Sequence, residues 1–197
     1  MDQEPKEQPQ FETQCAQRLW VVGSCGSGKT TLARRLGGLL GNVSVHVDDY
    51  IWLPDWKLRD RDEMLEMIEE RLAGDTWVME GNLGRDAQRL WKIADRADLI
   101  VWLDVPFRVT FWRLIKRCLR RSLLREECCN GNYESLRQTF FSRNSILLYA
   151  FATRHKRAVI YGHMLRNRKH VRLRTLAEVK GWLEALSIPL ATDQDGV

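Results

Sequence analysis

Nowhere does this 197-residue sequence hold an uninterrupted apolar stretch near the roughly 18 residues that cross a bilayer. Its apolar runs are short, as at residues 99–103, and its acidic, Gln-rich residues 1–14 contain no apolar signal core. No membrane partner is expected, and a cytoplasmic location is. Cysteine is sparse and odd in number: Cys15, Cys25, Cys118, Cys128 and Cys129. Without a secretory context that count argues against a disulfide framework, so the thiols are read as reduced. No two cysteines stand in a Cys-x-x-Cys spacing, which sets structural zinc aside for Cys118, Cys128 and Cys129. His155, His163 and His170 lie among basic residues and read as surface groups. No internal repeat is visible.

Acid is scarcest where base is richest. Residues 105–177 carry 17 Lys/Arg against 3 Asp/Glu, whereas residues 1–104 carry 13 against 19. The basic half calls for an anion, either nucleotide phosphate or nucleic acid, and charge alone does not choose between them. What the sequence does have, 44% hydrophobic and 29% charged residues, suffices for one core and a solvated surface.

Strand and helix signals alternate along the chain. Residues 1–14 read as a disordered lead, 15–190 as one domain and 191–197 as a tail. Short apolar runs at 19–22, 43–47, 77–79, 99–103 and 170–173 predict five strands. Helices are predicted over 29–40, 62–73, 85–94, 107–124, 135–152 and 176–186, the last opened by a Thr175/Glu178 capping box, with 158–161 leaning to helix. Residues 50–61 read as an irregular aromatic loop around Pro54. Strands alternating with helices predict an α/β fold, a five-stranded parallel sheet flanked by helices.

One motif carries chemistry. Gly23-Ser24-Cys25-Gly26-Ser27-Gly28-Lys29-Thr30 fits the phosphate-binding loop pattern at all its specified positions, and Thr31 adds a hydroxyl. The motif lies between an apolar strand and a helix, so backbone N–H groups and the helix N-terminus converge on a nucleotide phosphate. Lys29 would reach the β- and γ-phosphates of ATP, and the Thr30 hydroxyl would hold Mg²⁺. Asp48 and Asp49 close the second strand, at the sheet edge where ligands bind, and either carboxylate could take a proton from an acceptor hydroxyl. Tyr50, Trp52 and Trp56 follow, suited to stacking on a base or to hinge packing. Cys25 lies within the phosphate-binding loop, and its oxidation would block nucleotide binding.

Over residues 18–187 the chain resembles nucleoside and nucleotide kinases of the P-loop NTPase class, in particular adenylate-kinase-like proteins and bacterial topology-modulation proteins. The segment Trp77-Val78-Met79-Glu80-Gly81-Asn82 is similar to the acceptor-side strand and turn of that family, and residues 97–106 to the strand before the lid arm. Arg113 and Arg117 match the family's paired arginines at the base of the lid. Residues 140–145 and 171–175 resemble the helix beyond the lid and the last strand of topology-modulation proteins. The resemblance implies an acceptor-side segment near 48–74 and a helical lid arm near 113–143. It implies catalytic roles for Lys29, Asp48, Asp49, Arg113, Arg117 and Arg143. Nucleotide contacts are implied at residues 23–31, Arg113 and Arg174, and acceptor contacts at Asp48, Tyr50, Trp52, Glu80, Asn82, Arg85 and Arg137. The acidic pair departs from adenylate kinases, which carry there an arginine for the monophosphate.

These readings converge on a Mg²⁺- and ATP-dependent phosphotransferase. Its acceptor would be a nucleoside monophosphate, a nucleoside or another small molecule bearing a hydroxyl. The competing reading is a non-catalytic ATP-binding regulator that holds nucleic acid through residues 135–177, which carry 10 Lys/Arg and no acid. Phe140, Phe141 and Tyr149 could stack on bases there, but their helical spacing favours a place in the core.

Overall fold

Strands that are apolar on both faces can leave neither face to water, and the chain covers both with helices. The computed structural model describes residues 16–82, 87–142 and 145–187. The expected lead and tail, Cys15, Arg85 and Arg143 lie outside them. In chain order the elements are β1 (Arg18–Gly23), α1 (Lys29–Leu40), β2 (Val43–His46), α2 (Val47–Ile51), β3 (Trp52–Leu53), β4 (Lys57–Leu58), α3 (Arg61–Arg71) and β5 (Trp77–Glu80). They continue with α4 (Ala87–Arg96), β6 (Leu99–Leu103), α5 (Phe107–Leu124), α6 (Leu136–Phe141), α7 (Ile146–Met164), β7 (His170–Leu173) and α8 (Leu176–Ser187).

The main sheet is five-stranded and wholly parallel, in the order β2-β5-β1-β6-β7. Period-2 alternation sorts its side chains: Trp20, Val22, Ile100 and Trp102 enter one core with Met64, Leu65 and Ile68 of α3. Leu19, Val21, Leu99, Val101 and Leu103 enter the other with Leu32, Ala33 and Leu36 of α1 and Leu183 of α8. Each fully buried Leu, Ile or Val contributes about 1.5–3 kcal/mol relative to exposure. Because every strand runs the same way, all five C-terminal ends lie along one edge. Register sets Glu80 opposite both Val21 and His46.

The predicted sheet and most helices are present, including residues 158–161 within α7. The capping box forms as expected, with the Glu178 amide donating to Thr175 Oγ1 at 3.1 Å and the Arg174 amide to Glu178 Oε2 at 2.8 Å. Three expectations are corrected. Asp48 and Asp49 stand in the first turn of the short helix α2 rather than at a strand end, where the helix dipole favours acids. Residues 50–61 are not wholly irregular, since β3 and β4 pair as a small antiparallel hairpin whose turn puts Asp55 and Trp56 at positive φ. The single helix expected over 135–152 is two, because Ser145 caps a new one: its hydroxyl accepts from the Leu147 amide at 3.1 Å and donates to the Thr139 carbonyl. With that break α6 is too short to bury a full face, and Phe140, Phe141 and Tyr149 are not core but 39%, 85% and 51% exposed.

Candidate functional site

The edge formed by the strand ends gathers the residues with chemistry. From β1 the chain turns at once into the loop that precedes α1, and two glycines shape that loop for opposite reasons. At Gly26, with φ +79°, an added Cβ would stand 2.3 Å from the Thr110 carbonyl oxygen, so the first turns of α5 press directly on the loop. At Gly28, with φ +99°, an added Cβ would meet nothing within 4 Å, and the loop opens there to space. Gly28 is also the N-cap of α1 and offers no side-chain cap, and the first turn of α1 holds no acid, so its N–H groups await an acceptor. The Ser27 hydroxyl is buried without a partner among the described residues. Lys29 Nζ reaches back across the loop to the Ser24 carbonyl at 3.0 Å. Open N–H groups, that hydroxyl and a lysine lying over the loop fit a polyphosphate.

Beside the loop, Thr30 Oγ1 donates to Glu80 Oε1 at 2.9 Å, and His46 Nδ1 lies 3.2 Å from the same oxygen. A hydroxyl and a carboxylate in contact make an all-oxygen donor set of the kind that suits Mg²⁺. Burial pushes the Glu80 carboxyl up, but the hydrogen bond from His46, the charge of Lys29 and the bond from Thr30 together hold it below the usual range. The same bond to Glu80 raises His46 against the opposing effect of burial. Asp48 behaves differently. It is exposed, yet the surrounding protein strips enough hydration to push its carboxyl up, Glu80 pushes the same way, and Lys29 and Arg117 oppose. Asp49 is raised as well, chiefly by burial.

Arg113 and Arg117 stand three and seven residues beyond Thr110, on the helix face that abuts the loop. Both are half-buried. Arg117 Nε is buried without a hydrogen-bond partner among the described residues, and its charge is felt at Asp48. A cleft of about 320 Å³ is lined by Ser24 of the loop with Asp104, Pro106, Phe107, Arg154 and Arg174, the last a residue expected at the nucleotide. Glu80 and Asn82 were expected on the acceptor side; the structure bonds Glu80 to Thr30, and Asn82 Nδ2 to the Gly23 carbonyl at 3.2 Å. Tyr50 packs on the core, and Trp52 meets Trp56 edge-on at 5.4 Å. Arg137 is exposed and lines a separate shallow cleft with Ser135, Gln138, Phe141 and Ser142. Thr31 is exposed on α1, and Cys25 is half-buried against α5.

Sequence reasoning missed two groups. On α7, Arg154 packs over the Phe151 ring at 3.8 Å and lines the cleft with Ser24 and Arg174, while Arg157 Nη1 points at the Gly23 carbonyl at 3.4 Å and Cys25 Sγ at 3.8 Å. Their spacing of three on a helix was the available signal. The second group is the loop 125–134, which docks on the hairpin. Asn130 Nδ2 donates to the Asp49 and Trp52 carbonyls at 2.6 and 2.5 Å, and Asn132 bonds Leu53 and Trp56. No local pattern announces such long-range pairing.

No family model matches the chain, and no curated protein matches its sequence. Its fold is similar to that of solved kinases. Shikimate kinase from Acinetobacter baumannii in complex with shikimate is 16% identical with a TM-score of 0.59, over 94% of this chain and 99% of that one. Shikimate kinase from Bacteroides thetaiotaomicron is 18% identical with a TM-score of 0.57, over 87% and 97%. Deoxyadenosine kinase from M. mycoides, with the products dCMP and dCDP bound, is 15% identical with a TM-score of 0.53, over 84% and 94%. At these identities the likeness is one of fold.

Proposed function

We propose that this chain is an ATP-dependent small-molecule kinase of adenylate-kinase-like type, transferring the γ-phosphoryl group to a hydroxyl. The observation that carries the reading is the loop geometry, in which Lys29 Nζ reaches the Ser24 carbonyl at 3.0 Å and Thr30 Oγ1 donates to Glu80 Oε1 at 2.9 Å, with Asp48 within the influence of Lys29 and of Arg117 from α5. Phosphoryl transfer needs cations around a dispersed negative charge and a base at the incoming hydroxyl, and these residues supply both. The acceptor oxygen bonds to the γ-phosphorus as the bond to the bridging oxygen breaks, and the hydroxyl proton passes to Asp48. Glu80 and Asp48 divide the labour through opposite surroundings: Glu80, held low, stays charged, and Asp48, held high, is the better proton acceptor. Thr30 and Glu80 would hold Mg²⁺, whose positive charge supports the phosphates.

The acceptor side is acidic at Asp48, Asp49 and Glu80, and Arg59 is engaged by Glu63 at 2.5 Å and the Tyr50 carbonyl at 3.0 Å. That favours a neutral, hydroxyl-bearing acceptor such as a nucleoside over a nucleoside monophosphate. The likeness to shikimate and deoxyadenosine kinases is consistent with a hydroxyl-bearing acceptor, charged or neutral. Mass-resolved detection of phosphorylated products from a metabolite pool, with Mg²⁺ and ATP, tests the proposal. A product formed by the native chain and lost in Lys29→Ala supports it; no product across nucleosides, sugars and hydroxy acids refutes it. The exposure of Phe141 and Tyr149 within the basic half favours one second reading, an ATP-binding regulator of nucleic acid. Tight binding of single-stranded RNA or DNA at physiological salt, with no transfer product, would establish it.

A further inference from the structure

The phosphate loop faces a cation that no phosphate-loop pattern predicts. Arg157 is half-buried near the middle of α7, three residues after Arg154. Its Nη1 stands 3.4 Å from Gly23 O and 3.8 Å from Cys25 Sγ, and the Tyr149 side chain also bonds the guanidinium, its ring at 5.2 Å. The two loop contacts are long, and among the described residues no carboxylate pairs with this guanidinium. Gly23 O is already taken by Asn82 Nδ2 at 3.2 Å, and the Tyr161 hydroxyl, one turn beyond Arg157, donates to Asn82 Oδ1. The asparagine–tyrosine link therefore ties α7 to the end of β5 without using the arginine.

A desolvated cation ordinarily has an anionic partner, because the hydration it loses must be replaced. Two other largely buried arginines follow that rule: Arg121 holds Glu134 at 3.0 Å and Arg168 holds Asp95 at 2.5 Å. Arg157 does not, and it stands against loop residues 23 and 25 while Lys29 Nζ caps the carbonyl of residue 24 between them. Two cations from different elements thus converge on three consecutive loop residues.

We propose that Arg157 is the second cation of an oxyanion site at the phosphate loop, completing its charge balance only when a phosphate or carboxylate oxygen of a ligand is present. The proposal rests on the phosphate-loop reading above and extends it to α7. The oxyanion can come from the nucleotide's own phosphate chain or from an acid group on the acceptor, and the binding arms separate the two. Calorimetric titration would use tripolyphosphate, adenosine, and inorganic phosphate added to protein saturated with ADP.

Arg157→Gln should weaken tripolyphosphate binding at least tenfold and leave adenosine unchanged if the nucleotide supplies the oxyanion. It should spare tripolyphosphate and weaken inorganic phosphate over ADP tenfold if the acceptor does. Arg157→Lys should recover part of either loss, which a packing role would not predict, and unchanged thermal unfolding of the unliganded variants shows the fold intact. Unchanged affinity in both arms overturns the proposal, as does an equal loss of adenosine. Lys29→Ala separates the two levels: if it leaves tripolyphosphate binding intact, the phosphate-loop reading itself fails; if it abolishes binding while Arg157→Gln does nothing, only the role of Arg157 fails.

Discussion

Asn132 is 2% exposed and its amide performs three tasks at once. Nδ2 donates to the Leu53 carbonyl at 2.9 Å and the Cys129 carbonyl at 3.0 Å, and Oδ1 accepts the Trp56 amide at 2.8 Å. Asn132→Ala removes all three bonds and leaves a backbone donor and two acceptors to find water. At about 1 kcal/mol for each bond, with an added cost for any group that stays dry, the loss is about 3 kcal/mol. That is about a 100-fold shift in the opening equilibrium of the hairpin and the 125–134 loop. The two segments lie outside both main cores, so the shift should be local. Hydrogen exchange should show the Trp56 amide losing about 100-fold in protection while amides of β1 and β6 change little. Asn132→Asp sharpens the test, because a carboxylate still accepts from Trp56 but faces two carbonyl oxygens. It should resemble Ala at neutral pH and recover when the carboxyl is protonated. Unaltered exchange at Trp56 in Asn132→Ala would refute the reasoning and show that the dock is held by other contacts.

The other expectations are quickly stated. Lys29→Ala should abolish triphosphate binding by calorimetry while sparing adenosine. Asp48→Asn should slow product formation about 10²-fold with little change in ATP affinity, as for a lost general base. In the native chain the rate should fall as acid protonates Asp48, beginning at a higher pH than for an ordinary aspartate, and this limb should vanish in the Asn variant. Gly26→Ala brings a Cβ within 2.3 Å of the Thr110 carbonyl oxygen at φ +79°, so denaturant titration should show a loss of about 1–3 kcal/mol. The His46–Glu80 contact sets a pH window in the metal-free protein. The raised His46 stabilises the fold fully below its usual value of 6.5 and loses that effect as pH rises through its raised value, whereas the lowered Glu80 stabilises above 4.5 and loses it as pH falls. The Tm gap between native and His46→Gln protein should therefore narrow as the medium turns alkaline; a gap independent of pH would contradict the assignment.

The parts of this molecule that could be read from sequence are those written in contiguous residues. Five apolar runs gave the strands, glycine spacing gave the loop, and Thr175 with Glu178 gave the start of α8, because each signal lies within a few residues of its own consequence. The break between α6 and α7 was harder, since Ser145 acts as a cap only because its hydroxyl finds Thr139 six residues back. Site residues divide the same way. Lys29 and Thr30 announce themselves by pattern, whereas Glu80 meets Thr30 across fifty residues through the register of β5 beside β1. That register could have been anticipated from the sheet order of a doubly covered fold, and it brings Glu80 against the loop. Arg157 could not, because 134 residues separate it from Gly23 and its signal is a missing partner. A sequence lists the charges but not the pairs, and only after Arg121 and Arg168 have found their carboxylates does an arginine of α7 set against loop residues 23 and 25 become conspicuous.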